Sequence, residues 1–204
     1  LSDAFVYHRY LQPQKAVYGN LPQFRHPIQS ALRTFGIKGL YRHQVEAIDH
    51  VRSGQHILVA TPTASGKSLI YNLPVIERML ENPQARALYI FPLKALEQDQ
   101  LKTLSDWIAR AGVRTITARI YDGDTPPYQR KKIRAHNPNI LFTNPDMLHR
   151  GILAYHEQWE TFLGNLAFVV LDEVHTYRGI FGSHVSQIMR RLKRLCARYG
   201  ASPR

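Results

Sequence analysis

Cysteine is almost absent from this chain of 204 residues, which has a single thiol at Cys196. One cysteine excludes an internal disulfide and any cysteine-rich metal site, and the histidines are not spaced as metal ligands. Cys196 lies among Leu192, Leu195 and Tyr199 at helical spacing. We therefore expect this thiol to pack against a core and to take no part in catalysis.

Long apolar runs are lacking as well. Runs such as residues 57–60 and 168–171 are far shorter than the roughly 20 residues that a membrane span requires. No signal peptide opens the chain. The sequence thus predicts a soluble intracellular protein with no membrane partner, located in the cytoplasm, at the nucleoid, or in the nucleus of a eukaryote.

Acidic residues are scarce, with 15 Asp and Glu against 27 Lys and Arg and a formal net charge of +12. Such a balance favours polyanionic partners, nucleic acid above all, over acidic substrates. Charge alone does not establish the partner, because many basic domains bind no nucleic acid.

The organisation of the chain predicts one α/β domain with a short extension, since 204 residues with 44% hydrophobic content suffice for one full core. Residues 1–35 contain Pro13, Pro22 and Pro27, and we expect an extension there that packs on the domain and holds one short helix over 28–35. Residues 36–204 alternate apolar β-prone runs with longer helical runs, which predicts a mostly parallel sheet with helices on both faces. The predicted strands are 56–60, 87–91, 115–121, 139–143 and 168–171. The predicted helices are 41–52, 66–81, 93–111, 127–136, 145–153 and 182–199.

A candidate phosphate loop, Thr61-Pro62-Thr63-Ala64-Ser65-Gly66-Lys67-Ser68, joins the first predicted strand to a predicted helix. That context supports the match, because a strand, a loop and a helix amino terminus aim backbone N–H groups at phosphates. Gly66 permits close approach, Lys67 can reach the β and γ phosphates, and Ser68 can ligate Mg²⁺. The hydroxyls of Thr63 and Ser65 either steady the phosphates or satisfy local backbone groups. Thr61 replaces the glycine usual at the first position, and Ala64 stands where many such loops have glycine.

A second candidate element, Asp172-Glu173-Val174-His175, follows the apolar run 168–171. Adjacent carboxylates after a buried strand suit nucleotide hydrolysis: Asp172 can hold hydrated Mg²⁺, and Glu173 can position or deprotonate the attacking water. The alternative is a solvated acidic turn, which the upstream phosphate loop disfavours.

Together these elements resemble motifs I and II of the DExH type of superfamily 2 helicases. Three further elements resemble that family in the right order: Tyr41-Arg42-His43-Gln44 its adenine-binding element, Phe91-Pro92-Leu93-Lys94-Ala95-Leu96 its motif Ia, and Thr143-Asn144-Pro145-Asp146 its motif Ib. The stretches Tyr71-Asn72-Leu73-Pro74 and Thr176-Tyr177-Arg178-Gly179 are most similar to the RecQ-related bacterial and fungal DNA-repair helicases of the mitomycin-repair group.

The resemblance implies a RecA-like lobe that binds ATP and Mg²⁺. Gln44 would bond the adenine edge with support from Arg42, although a surface glutamine on a helix would give the same sequence. His175 would link the nucleotide site to nucleic-acid binding. Four residues would contact nucleic-acid phosphates: Pro92, Lys94, Thr143 and Asn144. Asp146 is equally a helix cap or a part of that loop.

Two basic runs remain open to interpretation. Arg130-Lys131-Lys132 with Arg134, and Arg190-Arg191 with Lys193-Arg194, are either nucleic-acid patches or solvated helix faces, and solvated faces are commoner.

The predicted function is that of the first motor lobe of an ATP-dependent DNA helicase or translocase that acts in DNA repair on single-stranded or partly duplex DNA, and the resemblance favours movement 3′ to 5′. The chain lacks an initial Met, and it stops before the Ser-Ala-Thr element and second lobe that the family would supply, so we expect a fragment with negligible ATPase activity alone. An RNA helicase lobe, a translocase that does not unwind, and a nucleotide-dependent switch are the alternatives.

Overall fold

The computed structural model describes residues 15–61 and 65–204. Its centre is a sheet of four parallel strands: β1 (Arg86–Ile90), β2 (Ala118–Ile120), β3 (Ile140–Thr143) and β4 (Leu166–Leu171). The strand order is β2-β3-β1-β4, and every pairing is parallel. Strands β1 and β3 are buried along their whole length, as the continuous apolar runs predicted.

Eight α-helices and three shorter helical segments surround the sheet in the described part of the chain. The α-helices are α1 (His26–Thr34), α2 (Arg42–Arg52), α3 (Lys67–Glu81), α4 (Lys94–Arg110), α5 (Pro127–His136), α6 (Pro145–Met147), α7 (Glu160–Gly164) and α8 (Gly179–Arg198). A π-helix (Leu148–Ile152) and a 3₁₀-helix (Leu153–Trp159) follow α6, and a 3₁₀ turn (Val174–Thr176) follows β4.

The two faces of the sheet carry separate cores, because side chains of a strand alternate between faces. Ala87 and Tyr89 of β1 pack in a core with α1, α2, α3 and α4. Leu88 and Ile90 pack in the other core with α5, α7 and α8. The predicted α/β class, with a parallel sheet covered on both faces, is confirmed. Cys196 is fully buried in the second core, which confirms its predicted packing.

The prediction of a strand over 56–60 is wrong for this structure, in which residues 55–61 are irregular. Leu58 is 80% exposed and Ile57 is 37% exposed. A strand needs a hydrogen-bonded neighbour about 4.8 Å away, and a cavity separates residues 55–61 from β4. Residues 56–60 have the apolar and β-branched composition of a strand, but they have no neighbouring strand to pair with among the described residues. The predicted strand 115–121 is also shorter in the structure, where β2 has three residues.

The prediction of one continuous helix over 145–153 is wrong, because three helical segments of different types cover these residues. After α6 the backbone widens into the π-helix and then tightens into the 3₁₀-helix, in which Tyr155 has φ −118° and ψ 37°. Gly151 lies in the widened turn, and a Cβ atom there would lie 2.3 Å from Met147 Cε. A periodicity of 3.6 does not distinguish these helix types, and π-turns recur at functional sites.

Candidate nucleotide and nucleic-acid sites

The described part of the phosphate loop surrounds the amino terminus of α3. Gly66 has φ 74°, the left-handed conformation that glycine adopts without strain, and it directly precedes the helix. Lys67 Nζ donates to the Thr61 carbonyl at 3.0 Å, and the Ser65 and Thr61 hydroxyls are 2.6 Å apart. Lys67 and Ser68 therefore open a 15-residue helix whose first N–H groups have no intrahelical partner and suit an anion. Thr63 and Ala64 lie outside the described residues.

Gln44 holds this loop to α2. Its amide nitrogen donates to the carbonyls of Gly66 at 3.0 Å and Ser65 at 3.5 Å, while its oxygen accepts from the Tyr41 N–H at 2.9 Å. A Cβ atom at residue 66 would lie 2.5 Å from the Gln44 amide nitrogen, so a side chain there would displace this amide as well as strain the left-handed backbone. Gln44 is buried, and all of these partners belong to the protein. An adenine would have to compete with them.

Arg42 lies on the exposed side of the same helix. Its Nε donates to Glu46 Oε1 at 2.9 Å, and both side chains are more than half exposed. Arg42 is thus two residues from Gln44 in sequence but is paired along α2 with Glu46, and such an exposed pair contributes little stability.

The acidic pair follows the carboxyl end of β4. Asp172 Oδ1 accepts from the Glu173 N–H at 2.8 Å. Glu173 has φ 51° and ψ 41°, a left-handed conformation that costs a non-glycine residue free energy and is enriched at functional sites. The turn aims two adjacent carboxylates away from the sheet instead of continuing the strand.

Tyr71 contacts the second oxygen of Asp172. Its hydroxyl lies 3.1 Å from Asp172 Oδ2 and 3.1 Å from Gln100 Oε1. Burial, and then the charge of Asp172, raise the pKa of Tyr71 far above its ordinary value, so the hydroxyl stays protonated and can donate. Because it has one hydrogen, it satisfies both contacts only if the Gln100 amide donates in return.

His175 lies on the 3₁₀ turn after the acidic pair. Its Nδ1 is 3.2 Å from Glu173 Oε2, and its side chain is 66% exposed. Tyr177, two residues on, has its pKa raised by burial first and then by Asp172 and Glu97.

A cavity of about 810 Å³ brings four of the predicted site residues together: Lys67, Asp172, Glu173 and His175. Lys67 and Tyr71 of α3 line one side, and Asp172, Glu173 and His175 line the other. Five of the predicted nucleotide residues do not line this cavity: Arg42, Gln44, Ser65, Gly66 and Ser68. Over residues 15–61 and 65–204, no group of three His, Cys, Asp or Glu side chains is placed to hold a metal ion. A hydroxyl and a carboxylate, as at Ser68 and Asp172, fit Mg²⁺, which usually takes one or two protein oxygens with waters and phosphates.

The predicted nucleic-acid residues lie around the carboxyl ends of β1 and β3: Pro92 and Asn144 are in the loops that follow these strands, Thr143 ends β3, and Lys94 begins α4. Pro92 is half-buried, two residues before the start of α4. Lys94 Nζ lies 2.7 Å from Asp124 Oδ1, and that hydrogen bond raises the pKa of Lys94. Thr143 is fully buried and donates to the Tyr121 carbonyl at 2.8 Å. It positions the loop, while its own side chain has no surface to offer a ligand.

Asn144 caps the helix that follows β3. Its Oδ1 accepts from the Met147 N–H at 2.9 Å, and its Nδ2 donates to Glu97 Oε1 at 3.3 Å. Glu97 is completely buried, and its second oxygen has no partner among the described residues. Burial, and then the charge of Asp122, raise the pKa of Glu97 to about 7. Asp146 is exposed in the first turn of α6, and the cap is Asn144.

Sequence reasoning missed Tyr71 and Glu97 as site residues. Tyr71 lies four residues after Lys67, so helical spacing places the two side chains on one face of α3, and that signal was available. Glu97 gave no such signal, because a glutamate in the first turn of a helix ordinarily stabilises its amino terminus from solvent.

The family comparison decides the class of protein. The DEAD/DEAH box helicase model matches residues 41–202. The chain belongs to the DEAD/DEAH box helicase family. This helicase domain is 46% identical over 194 residues to the uncharacterized ATP-dependent helicase YprA of Bacillus subtilis, covering 95% of the chain and 26% of the relative. It is 42% identical over 191 residues to the ATP-dependent helicase hrq1 of Schizosaccharomyces pombe, covering 92% and 18%.

A solved structure supports the same assignment. The DUF1998 helicase MrfA, bound to DNA and AMPPNP, matches with a TM-score of 0.91 at 46% identity, covering 95% of this helicase domain and 27% of that chain. The fold is that of a RecA-like helicase lobe, which more distant helicase structures share. The predicted helicase family, and the predicted resemblance to the RecQ-related bacterial and fungal DNA-repair helicases, are confirmed. The chain spans about a quarter or less of the relatives' length.

None of the described helices is both long enough and apolar enough to cross a bilayer.

Proposed function

We propose that this chain is the ATP-binding first motor lobe of an ATP-dependent DNA helicase or translocase that acts in DNA repair. The observation that carries the proposal is the single cavity in which Lys67 faces Asp172 and Glu173. A cation at a helix amino terminus opposite two carboxylates suits a polyphosphate with a divalent metal ion.

The proposed roles follow from the positions of the side chains. Lys67 and the first N–H groups of α3 bind phosphate oxygens. Ser68 and Asp172 would hold Mg²⁺, which neutralises phosphate charge when it is bound. Glu173 orients the attacking water and accepts its proton. Tyr71 fixes the orientation of Asp172 through the contact between its hydroxyl and Oδ2.

The nucleic-acid surface comprises the loops after β1 and β3, with Lys94 and Asn144 as phosphate contacts and Pro92 and Thr143 as parts of the loops. The excess of 27 basic over 15 acidic residues favours a polyanion. DNA is favoured over RNA because the similar MrfA structure is of a complex with DNA. Comparing the stimulation of ATP hydrolysis by single-stranded DNA and by RNA of the same sequence tests that preference.

We further propose that a second RecA-like lobe completes the ATP site. Arginines from such a lobe stabilise the charge that develops during phosphoryl transfer, and they contribute about 10³ to 10⁵ in rate. The 204-residue chain alone should therefore bind nucleotide weakly and hydrolyse it negligibly. Hydrolysis at about one per second or faster by the isolated chain would contradict this. We also propose that the helicase moves along DNA from 3′ to 5′. Strand displacement on a duplex with a single-stranded tail at one end tests this direction.

Strand displacement by the helicase that contains this lobe tests the whole proposal. Lys67→Ala should abolish ATP hydrolysis and displacement together, because the phosphate contact is lost. Lys102→Ala is the matched control, since Lys102 is exposed on α4 away from the cavity. ATP hydrolysis without displacement by the unchanged protein would instead favour a translocase that does not unwind. Absence of both activities would favour a switch.

A further inference from the structure

A second cavity, of about 450 Å³, lies beside the loops that follow β2 and β3. Three arginines line it: Arg130, Arg134 and Arg150. Its other walls include Tyr121 and Tyr155 and no carboxylate. We call this cavity the arginine pocket. Its lining shares no residue with the nucleotide cavity.

Two of the arginines are held in place by the protein. Arg130 donates from one terminal nitrogen to the carbonyls of Asp122 and Gly123, each at 2.9 Å. Its guanidinium lies 5.8 Å from the centre of the Tyr121 ring. Arg134 donates to the Tyr121 hydroxyl at 2.9 Å. Such fixed guanidinium groups lose little conformational freedom when they bind an anion.

The charges of the pocket are not neutralised within the described structure. None of the three arginines forms an ion pair with a described carboxylate. The Nε of Arg130 is buried without a partner, which is costly unless a ligand or water satisfies it. Arg150 is exposed and forms no hydrogen bond with the described side chains or backbone. The pocket therefore presents cationic donors with spare capacity.

The wall of the pocket is shaped for close approach. Met147, Arg150 and Gly151 line it, and the last two belong to the π-helix. A Cβ atom at Gly151 would lie 3.4 Å from the Tyr121 ring and closer still to Met147. Tyr155, at the backbone kink, is 58% exposed. An exposed aromatic ring beside guanidinium groups is the arrangement on which single-stranded nucleic acid stacks its bases.

The pocket adjoins the loops already assigned to nucleic acid. Asn144 caps the N–H of Met147, so one turn carries both an expected phosphate contact and a wall of the pocket. The Asp122 and Gly123 carbonyls that hold Arg130 belong to the loop whose Asp124 pairs with Lys94. A strand that contacts Lys94 and Asn144 can therefore continue to the pocket.

We propose that the arginine pocket binds a phosphodiester of single-stranded nucleic acid next to the contact at Asn144, with Tyr155 stacking on a base. Arg134 and Arg150 contact the phosphate, and Arg130 positions the loop of Asp122 and Gly123 while its Nε completes the donor set. This inference rests on the proposed nucleic-acid function. It also divides the basic run of α5: Arg130 and Arg134 face the pocket, whereas Lys131 and Lys132 are exposed and form a solvated face.

Salt-dependent binding tests the pocket. The helicase that contains this lobe is titrated into a fluorescent single-stranded DNA at several salt concentrations, with Arg150→Gln, Arg134→Gln and the double variant. Each lost contact should weaken binding several-fold at low salt and reduce the slope of log K against log salt by about 0.7. Arg150→Lys keeps the charge and should restore most of the slope. Lys131→Gln is the matched control from the exposed face of α5.

The outcomes separate the two proposals. If the unchanged protein binds no nucleic acid, the proposed function fails. If it binds, but Arg150→Gln has the affinity and slope of Lys131→Gln, the pocket inference alone fails. The Arg150 side chain forms no hydrogen bond or ion pair with the described residues, so its substitution should leave the melting temperature unchanged and the result interpretable. Inorganic phosphate that binds tightly in the pocket without displacing DNA would also overturn the inference.

Discussion

Two cavities in this lobe differ in the signs of the charges that line them. The nucleotide cavity sets Lys67 against Asp172 and Glu173, whereas the arginine pocket contains cations and aromatic rings without a carboxylate. Opposite charges suit an anion that arrives with a metal ion and is cleaved by an activated water. Charges of one sign suit an anion that is held unchanged. Under the proposed function, the nucleotide cavity is a site for chemistry and the arginine pocket a site for attachment.

The two regions also differ in the regularity of their backbone. The nucleotide cavity lies between β4, an edge strand, and the irregular residues 55–61. The nucleic-acid loops follow β1 and β3, which are buried between neighbours on both sides. The first region is therefore bordered by irregular backbone, and the second by strands that are paired on both sides.

The largest expected effect is a loss of ATP hydrolysis, which would establish the chemical role of the nucleotide cavity. Glu173→Gln removes the carboxylate that accepts a proton and keeps the side-chain shape, so ATP hydrolysis should fall about 10² to 10⁴-fold. Binding of nucleotide and DNA should change little. Steady-state hydrolysis and fluorescence anisotropy measure the two quantities in the helicase that contains this lobe.

The control for that substitution is Glu160→Gln, since Glu160 is exposed at the start of α7. A variant at Glu173 that keeps more than a tenth of the hydrolysis rate would assign the water to another group and would weaken the contrast between the cavities.

A smaller effect concerns Glu97, the buried carboxylate under the nucleic-acid loops. Its pKa of about 7 is raised by burial first and by Asp122 and Asp124, against the opposing Asn144 amide and Lys94. The unfolded chain releases this proton near pH 4.5. The protonated carboxyl therefore stabilises the fold below pH 4.5, and that stabilisation is lost as the pH rises through 7.

Thermal or urea unfolding across pH 4.5 to 7.5 measures this loss. Relative to Glu97→Gln, which cannot ionise, the unchanged protein should lose about 2 kcal/mol over that range. Tyr177, whose own pKa Glu97 helps to raise, keeps its proton throughout. Asp99→Asn is the control on the exposed side of α4. Parallel pH profiles of the Glu97→Gln variant and the unchanged protein would show that Glu97 is solvated and that the loops lack a buried charge.

The sequence predicted correctly those helices and strands that depend on residues close together in the chain. Five-residue apolar runs between turn residues predicted β1 and β3 because a strand buried on both faces needs apolar side chains at every position. The Pro-led helix α5 has the predicted bounds because proline fixes its start and Asn137, in a left-handed conformation, ends it.

Contacts between distant residues were beyond that reasoning. Residues 56–60 have strand composition, but pairing depends on a neighbour that no local pattern reveals. The contact of Tyr71 with Asp172 spans 101 residues, and that of Asn144 with Glu97 spans 47. Arg130 and Arg134 were ambiguous because their helical spacing is also that of a solvated face, and only packing against Tyr121 distinguishes them from Lys131 and Lys132.

The smallest expected effect tests whether the nucleotide cavity is preorganised as the arginine pocket is. Tyr71→Phe removes the hydroxyl that lies 3.1 Å from both Asp172 and Gln100. A lost hydrogen bond of about 0.5–1.5 kcal/mol should reduce kcat for ATP by roughly two- to tenfold. Because the hydroxyl keeps its proton at every assay pH, the decrease should be independent of pH between 6 and 9. Tyr128→Phe, at an exposed ring of α5, is the control and should match the unchanged protein. If Tyr71→Phe also matches the unchanged protein, Asp172 is oriented by the Glu173 N–H alone. The nucleotide cavity would then be less preorganised than the arginine pocket, because a single backbone hydrogen bond would hold its metal ligand while several bonds hold the arginines.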